Sequence, residues 1–290
     1  MDPLPFMLVM VSAVSHALWN YVAKEAGDKD SFMLLINVFS LAIFLPVFYV
    51  ILPEIYFPVE VLPFLVASGV AETIYFLALG KAYEEGDLSV VYPVARSSPM
   101  FVALAASLLI GERITPWGAL GIALILVGVY VLHLKGWSGE ELTRPLKALR
   151  GPASRYAFVA ALGTTVYSIS DKMGVTAVDP LLYSFWLGFV ITGMLSLVIV
   201  KRRGVNLIRE ELRGSLFRVS VAGVLMKGGY MLVLVAMSLA QVSYILALRQ
   251  VSVVLGAALG VVLLKERYGG VRIVGSMIIF VGVYLLGVVA

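Results

Sequence analysis

The chain of 290 residues is 61% hydrophobic and 14% charged, with a formal net charge of +4 and a mean hydropathy of +0.98. Soluble domains are about 45 to 50% apolar, so this composition excludes an ordinary soluble fold and points to a protein of the lipid bilayer. With no cysteine and only two histidines, His16 and His133, disulfides, thiolate chemistry and a metal centre are not expected, nor is a cofactor.

A bilayer core takes about 20 predominantly apolar residues per helix. Ten segments meet that length: residues 4–23, 31–51, 61–83, 88–110 and 115–134, then 156–174, 180–200, 216–237, 242–264 and 271–289. The first lacks the basic flank of a cleaved signal peptide and runs too long for one. Only residues 135–155 and 201–218 interrupt the series with long polar stretches, and nothing remains for a soluble domain. The expected fold class is all-α and integral to the membrane, with ten transmembrane helices. A first five-helix unit covers 1–135, a cytoplasmic connection 136–155, and a second five-helix unit 156–290.

Orientation follows from the basic residues. Grouping alternate connections by side collects Lys24, Lys29, Lys81, Lys135, Arg144, Lys147, Arg150 and Arg155 with Lys201, Arg202, Arg203, Arg209, Arg213, Arg218, Lys265, Arg267 and Arg272. The other side keeps only Arg113. Because basic connections stay in the cytoplasm, both termini are expected outside, in a prokaryotic plasma membrane. The connections between segments 5 and 6 and between 7 and 8 then lie inside. The pI near 9.2 is thereby read as an orientation signal, and no nucleic-acid partner is expected.

A shift of 154 residues lays Ser89 on Ser243, Glu112-Arg113 on Glu266-Arg267, Gly121 on Gly275, Gly128 on Gly282 and Val129-Tyr130 on Val283-Tyr284. A weaker match at 148 lays Trp19-Asn20 and Lys24 on Tyr167-Ser168 and Lys172. Five helices is an odd number, so the second copy is inverted relative to the first. Inverted repeats around a midplane site are the architecture of alternating-access carriers.

Ten helices in two halves, Gly-Glu-Arg at 111–113, Lys-Glu-Arg at 265–267 and Gly-x6-Gly-Val-Tyr after each resemble the EamA-type transporters of the drug/metabolite transporter superfamily. The resemblance covers essentially the whole chain. It implies a carrier and not an enzyme, export as the direction, and a substrate among amino acids, sugar phosphates, nucleotide sugars and drugs. The superfamily's small four-helix multidrug members couple to protons through a Glu in their first helix. Segment 1 here offers His16 instead, so their antiport mechanism does not carry over.

An Arg, Lys or Asp at a helix centre costs about 2.5 to 3.5 kcal/mol on translocon scales, so such residues face a cavity or a partner. Glu72 and Lys227 fall at the midpoints of segments 3 and 8, Arg96 and Arg249 within a turn of the midpoints of segments 4 and 9, and His16 near the middle of segment 1. The 154-residue shift brings Glu72 to Met226, beside Lys227, and Arg96 to Gln250, beside Arg249. One central cavity lined by segments 1, 3, 4, 6, 8 and 9 is expected. Three deep bases face one deep acid there, and the excess is less costly when an anionic group occupies the cavity. Arg96 and Arg249 suit a planar, bidentate grip on a carboxylate or phosphate, and Lys227 acts as a point charge. The structural alternative pairs Glu72 with Lys227 or Arg96.

Pro93 and Pro99 bracket Arg96 and free the carbonyls of Ser89 and Ala95, which predicts a kinked wall that presents Arg96. Ala247 and Val251 replace Pro93 and Ser97 in segment 9, so unequal walls are expected. Ser12, His16, Asn20 and Lys24 form a stripe with Trp19 at its border; Thr164, Ser168 and Lys172 form another, flanked by Tyr167 and Asp171. Trp19, Asn20, Tyr92, Tyr167, Ser168, Tyr230 and Gln250 complete the expected substrate-binding set. For Ser12, Thr164 and Ser168 the alternative is interhelical hydrogen bonding. Asp171 and Lys172, near a helix end, are expected to snorkel, and His16 and Glu72 are the proton-coupling candidates.

Gly256-x3-Gly260 reads as a helix contact face, and Gly118, Gly121, Gly128, Gly275 and Gly282 as a scaffold or homodimer surface. The Glu-Arg pairs at 112–113 and 266–267 either cap helices or lock a gate. Trp117, Trp137, Tyr56 and Tyr130 suit interfacial belts. No hydrolase or nucleotide-binding motif occurs, and the charges form no ring of the kind that lines a channel. The expected function is transport of a small anionic or zwitterionic metabolite, an amino acid or related organic acid first. Organic phosphates or nucleotide sugars come second, drugs third, and a lipid-linked sugar flippase uses the same fold.

Overall fold

The computed structural model describes residues 1–24, 26–85, 88–147, 151–264 and 269–289. Arg150, Lys265, Glu266 and Arg267 lie outside the described residues, as do the side chains of Lys24, Ser89, Arg144 and Lys147 and the surroundings of Gly260. The described part is all-helical: α1 Pro3–Lys24, α2 Lys29–Ile51, a 3-10 turn Val59–Val61 leading into α3 Leu62–Glu85, α4 Leu88–Ala95, α5 Ser98–Leu109 and α6 Pro116–Leu132. There follow α7 Gly139–Lys147, α8 Pro152–Ala177, α9 Pro180–Leu239, α10 Val242–Leu248, α11 Val251–Leu264 and α12 Gly270–Tyr284, closed by a π-turn Leu285–Val289.

Six helical stretches among the described residues are long and apolar enough to cross a membrane: those beginning at Pro3, Lys29, Val59, Pro180, Val242 and Gly270. Their outer faces carry large apolar side chains, with Phe217 80% and Leu197 78% exposed. Water penalises such a surface and hydrocarbon does not.

The polar stretch 201–218 is not a loop. Helical hydrogen bonding continues through it, broken at Gly204 (φ 74°, ψ 158°) and Ser215 (φ −142°, ψ 20°). Only glycine takes the first of these conformations at no steric cost. The middle piece of α9 is thus helical and bounded by the two kinks. Asp28 and Asp30, at the start of α2, anchor it: Arg203 meets Asp30 at 2.7 Å and Asp28 at 3.5 Å, and the Asp28 N–H donates to Glu211 at 2.8 Å.

In lipid, helices associate through close packing, because the solvent is as apolar as the side chains. Small residues therefore mark the contacts. Gly163 of α8 lies against Ala71 and Tyr75 of α3, Gly229 of α9 against Ser15 of α1, and Gly223 of α9 against the Ile36 carbonyl of α2. Gly121 and Gly128 of α6 face Gly282 and Gly275 of α12, backbone on backbone, which fulfils the scaffold expectation within one chain.

At Gly256, among the described residues, nothing lies within 4 Å of a Cβ placed there. A paired prediction follows. A Cβ at position 275 would sit 2.6 Å from the Leu132 nitrogen, and backbone cannot rotate away. Gly275→Ala should lower stability by about 1 to 3 kcal/mol, whereas Gly256→Ala should be neutral or gain up to about 1 kcal/mol in helix propensity. Thermal unfolding of the two purified variants checks both.

Candidate functional site

Helix 4 of the sequence reading is not merely kinked; it is two helices. Pro99 occupies the first turn of α5, where its missing N–H would be unpaired anyway. Between α4 and α5 the ladder tightens: Ser97 N–H and Oγ–H both donate to the Val94 carbonyl, at 3.2 and 2.7 Å. Arg96 stands at this break. Segment 9 breaks at the matching place without a proline. Gln250 N–H donates to Ala247 at 3.0 Å, while Ser252 N–H and Oγ–H donate to Arg249 at 3.0 and 2.7 Å. The expectation of unequal walls is corrected accordingly: both walls are broken beside an arginine, and a serine hydroxyl caps each break.

The two breaks face one partly open cleft, whose space of about 500 Å³ includes open solvent. His16 from α1, Tyr75, Leu79 and Tyr83 from α3, Arg96 and Ser98 from the first break, Thr164 and Tyr167 from α8, and Leu246, Arg249, Gln250 and Ser252 from the second line it. No acidic side chain is among them. Five of the six expected segments contribute, segment 8 being the exception.

Arg96 lies 3.3 Å from His16 Nε2, and its guanidinium sits 5.0 Å from the Tyr92 ring centre. Trp19 Nε1–H donates to His16 Nδ1 at 3.3 Å. A neutral imidazole has one acceptor nitrogen, so Trp19 and Arg96 compete for it and His16 holds Arg96 only loosely. Tyr75, Tyr83 and Tyr167 line the same cleft. Among the described residues no carboxylate pairs with Arg96.

Arg249 is placed differently. Its guanidinium rests 5.6 Å from the Tyr230 ring centre, and the Tyr230 hydroxyl donates to Asp171, which also accepts from Tyr183 at 2.9 Å. The fields of Arg249 and Asp171 both reach Glu72. Asp171 is therefore no snorkelling residue: it is 0% exposed, because Tyr183 folds back over it through the space beside Gly174. Its neighbour Lys172 is half-buried and donates to the Met237 and Ala240 carbonyls at the end of α9, at 2.5 and 3.0 Å.

Neither expected structural ion pair forms among the described residues. Lys227 Nζ donates to the Ser184 carbonyl at 2.6 Å and sits 5.7 Å from the Phe48 ring centre, away from the cleft. Glu72 Oε2 is buried with no hydrogen-bond partner. Of the other expected residues, Tyr167, His16 and Gln250 line the cleft. Trp19, Tyr92 and Tyr230 contact residues that do, Ser168 is buried, and Asn20 is exposed with its amide on the His16 carbonyl at 2.7 Å. Tyr75 and Tyr83 were not among the expected residues, although positions 72, 75, 79 and 83 run along one helical face.

A family model described as the EamA-like transporter family matches residues 4–134 and 153–288. A protein of Archaeoglobus fulgidus named as an uncharacterized transporter is 22% identical over 294 residues, covering 96% of this chain and 97% of that protein. A solved crystal structure superposes with a TM-score of 0.72 at 18% identity, over 99% of this chain and 98% of its own, a likeness of fold alone. With the family matched over nearly the whole length of an all-helical, lipid-facing chain, the protein belongs to the EamA-like transporter family of integral membrane proteins.

Proposed function

We propose that the protein is a secondary-active carrier that moves a small anionic or zwitterionic metabolite by alternating access, with the cleft between the two breaks as its midplane site. An amino acid or related organic acid is the first choice of substrate, and the ten segments cross the bilayer as two inverted halves with both termini outside. What supports the inverted halves is matched packing. The first helix of each half lies on the third crossing of the other, α8 on α3 and α1 on the stretch of α9 around Gly229, while α6 on α12 brings the two fifth members together. The two stretches of the family match are separated by residues 135–152, within which most of the expected connection lies.

The observation that carries the substrate reading is that two guanidinium groups converge on one cleft whose lining, among the described residues, holds no carboxylate. Asp171 changes the charge balance drawn from sequence, setting Glu72 and Asp171 against Arg96, Lys227 and Arg249. Arg96 is the base with no acid near it, so one anionic group of the substrate is assigned to Arg96.

Counterflow in proteoliposomes tests the reading. A labelled amino or organic acid should exchange against the unlabelled compound inside, since a carrier exchanges and a channel equilibrates. Absence of exchange across a panel of acids, phosphates and amines would refute transport by this route.

A further inference from the structure

We propose that Glu112 is a latch that holds the end of the bundle carrying the N terminus closed, by gripping the first turn of α10. This rests on the two-sided access proposed above. Glu112 lies in the connection between α5 and α6. Its Oε1 accepts the Val242 N–H at 2.6 Å, and its Oε2 accepts both the Ser243 N–H at 3.2 Å and the Ser243 hydroxyl at 2.6 Å. The same two connections meet again where Gln241 Nε2–H donates to the Arg113 carbonyl at 3.2 Å and Thr115 N–H donates to Tyr244 Oη at 3.0 Å.

All of these contacts are polar and reversible. The hold on α10 centres on one carboxylate side chain that accepts three hydrogen bonds. α10 has seven residues, a rise of about 10 Å. It is bounded at its far end by the break that carries Arg249 into the cleft, so the latch and the cleft are opposite ends of one short, fully buried helix. A plain helix cap would stabilise α10 without controlling access to the cleft; a latch does both. Access, not stability, is the quantity to measure.

The sequence contains no cysteine, so a single introduced thiol reports cleanly. Ser98 lines the cleft and is 3% exposed, and Ser98→Cys is close to isosteric. A charged, membrane-impermeant maleimide is applied to protein in sealed vesicles from the side of the N terminus, with no ligand present. Glu112→Gln should raise the labelling rate about tenfold, as loss of a charge-assisted contact shifts the population toward opening. Ser243→Ala, which removes one of the three donors, should raise it by a smaller factor, and it provides the readout if Glu112→Gln does not assemble. Glu60→Gln, at an exposed acid of the 3-10 turn, should leave the rate unchanged. Wild-type labelling rates in the Glu112 and Ser243 variants would overturn the proposal, as would an equal rise in the Glu60 variant. A failed substrate panel alone would not touch it, since the measurement uses no substrate.

Discussion

Arg96→Gln should weaken binding of carboxylate and phosphate ligands to the purified protein by about 25-fold or more. Removing one partner of a desolvated, hydrogen-bonded charge pair costs about 2 to 5 kcal/mol, and each 1.4 kcal/mol is about tenfold. Assembly should survive the change, because Arg96 has no acid to leave stranded and its protein contacts are one contested imidazole nitrogen and aromatic faces. Arg249→Gln should behave in the opposite way. Its positive field reaches both Glu72 and Asp171, so its removal destabilises the fold more than Arg96→Gln does and weakens binding less. Ligand titrations on both variants, with a thermal melt of each, separate the two roles.

Asp171→Ala should be the most destabilising single substitution at the polar centre, by about 3 to 5 kcal/mol. Breaking a buried charged arrangement on one side leaves the other side uncompensated. Here it would strand the Tyr183 and Tyr230 hydroxyls and leave Arg249 and Lys227 with Glu72 as the acid near them. Asp171→Asn keeps an acceptor oxygen and the side-chain shape, so its cost should fall to about 1 to 3 kcal/mol, the range for one buried group left unsatisfied. If Asp171 were the snorkelling residue that its place near a helix end suggests, both variants would melt within a degree or two of wild type. Differential scanning measurements of the three proteins in one detergent distinguish these outcomes.

The membrane character and helix positions were legible because hydrocarbon imposes a length and a composition on anything that crosses it. Arg96 and Arg249 were legible for a related reason: a fixed charge at mid-depth has few places to go. Asp171 was misread because the apolar run was ended at Gly174, whereas α8 continues to Ala177 and Tyr183 closes over the carboxyl from the next helix. A signal was available. Thr164, Ser168 and Asp171 recur at i, i+4 and i+7, so the acid shares the polar face of α8, and the stripe followed Lys172 instead.

The break between α10 and α11 had no proline to announce it. At it the hydroxyl of Ser252 turns back to the Arg249 carbonyl, a local competition with the helix ladder that composition does not reveal. Glu112 was read as a cap or a lock without a partner, because the helix it grips lies 130 residues away in the chain.

The most direct test of the anion site is a thermal-shift screen of wild type and Arg96→Gln, side by side, against amino acids, organic acids, organic phosphates and neutral or cationic amines. The compounds that stabilise the wild type should all carry a carboxylate or phosphate, and their effect should vanish in the variant while its unliganded melting point stays close to wild type. Neutral amines that stabilise both proteins equally, with no response to any acid, would contradict the account.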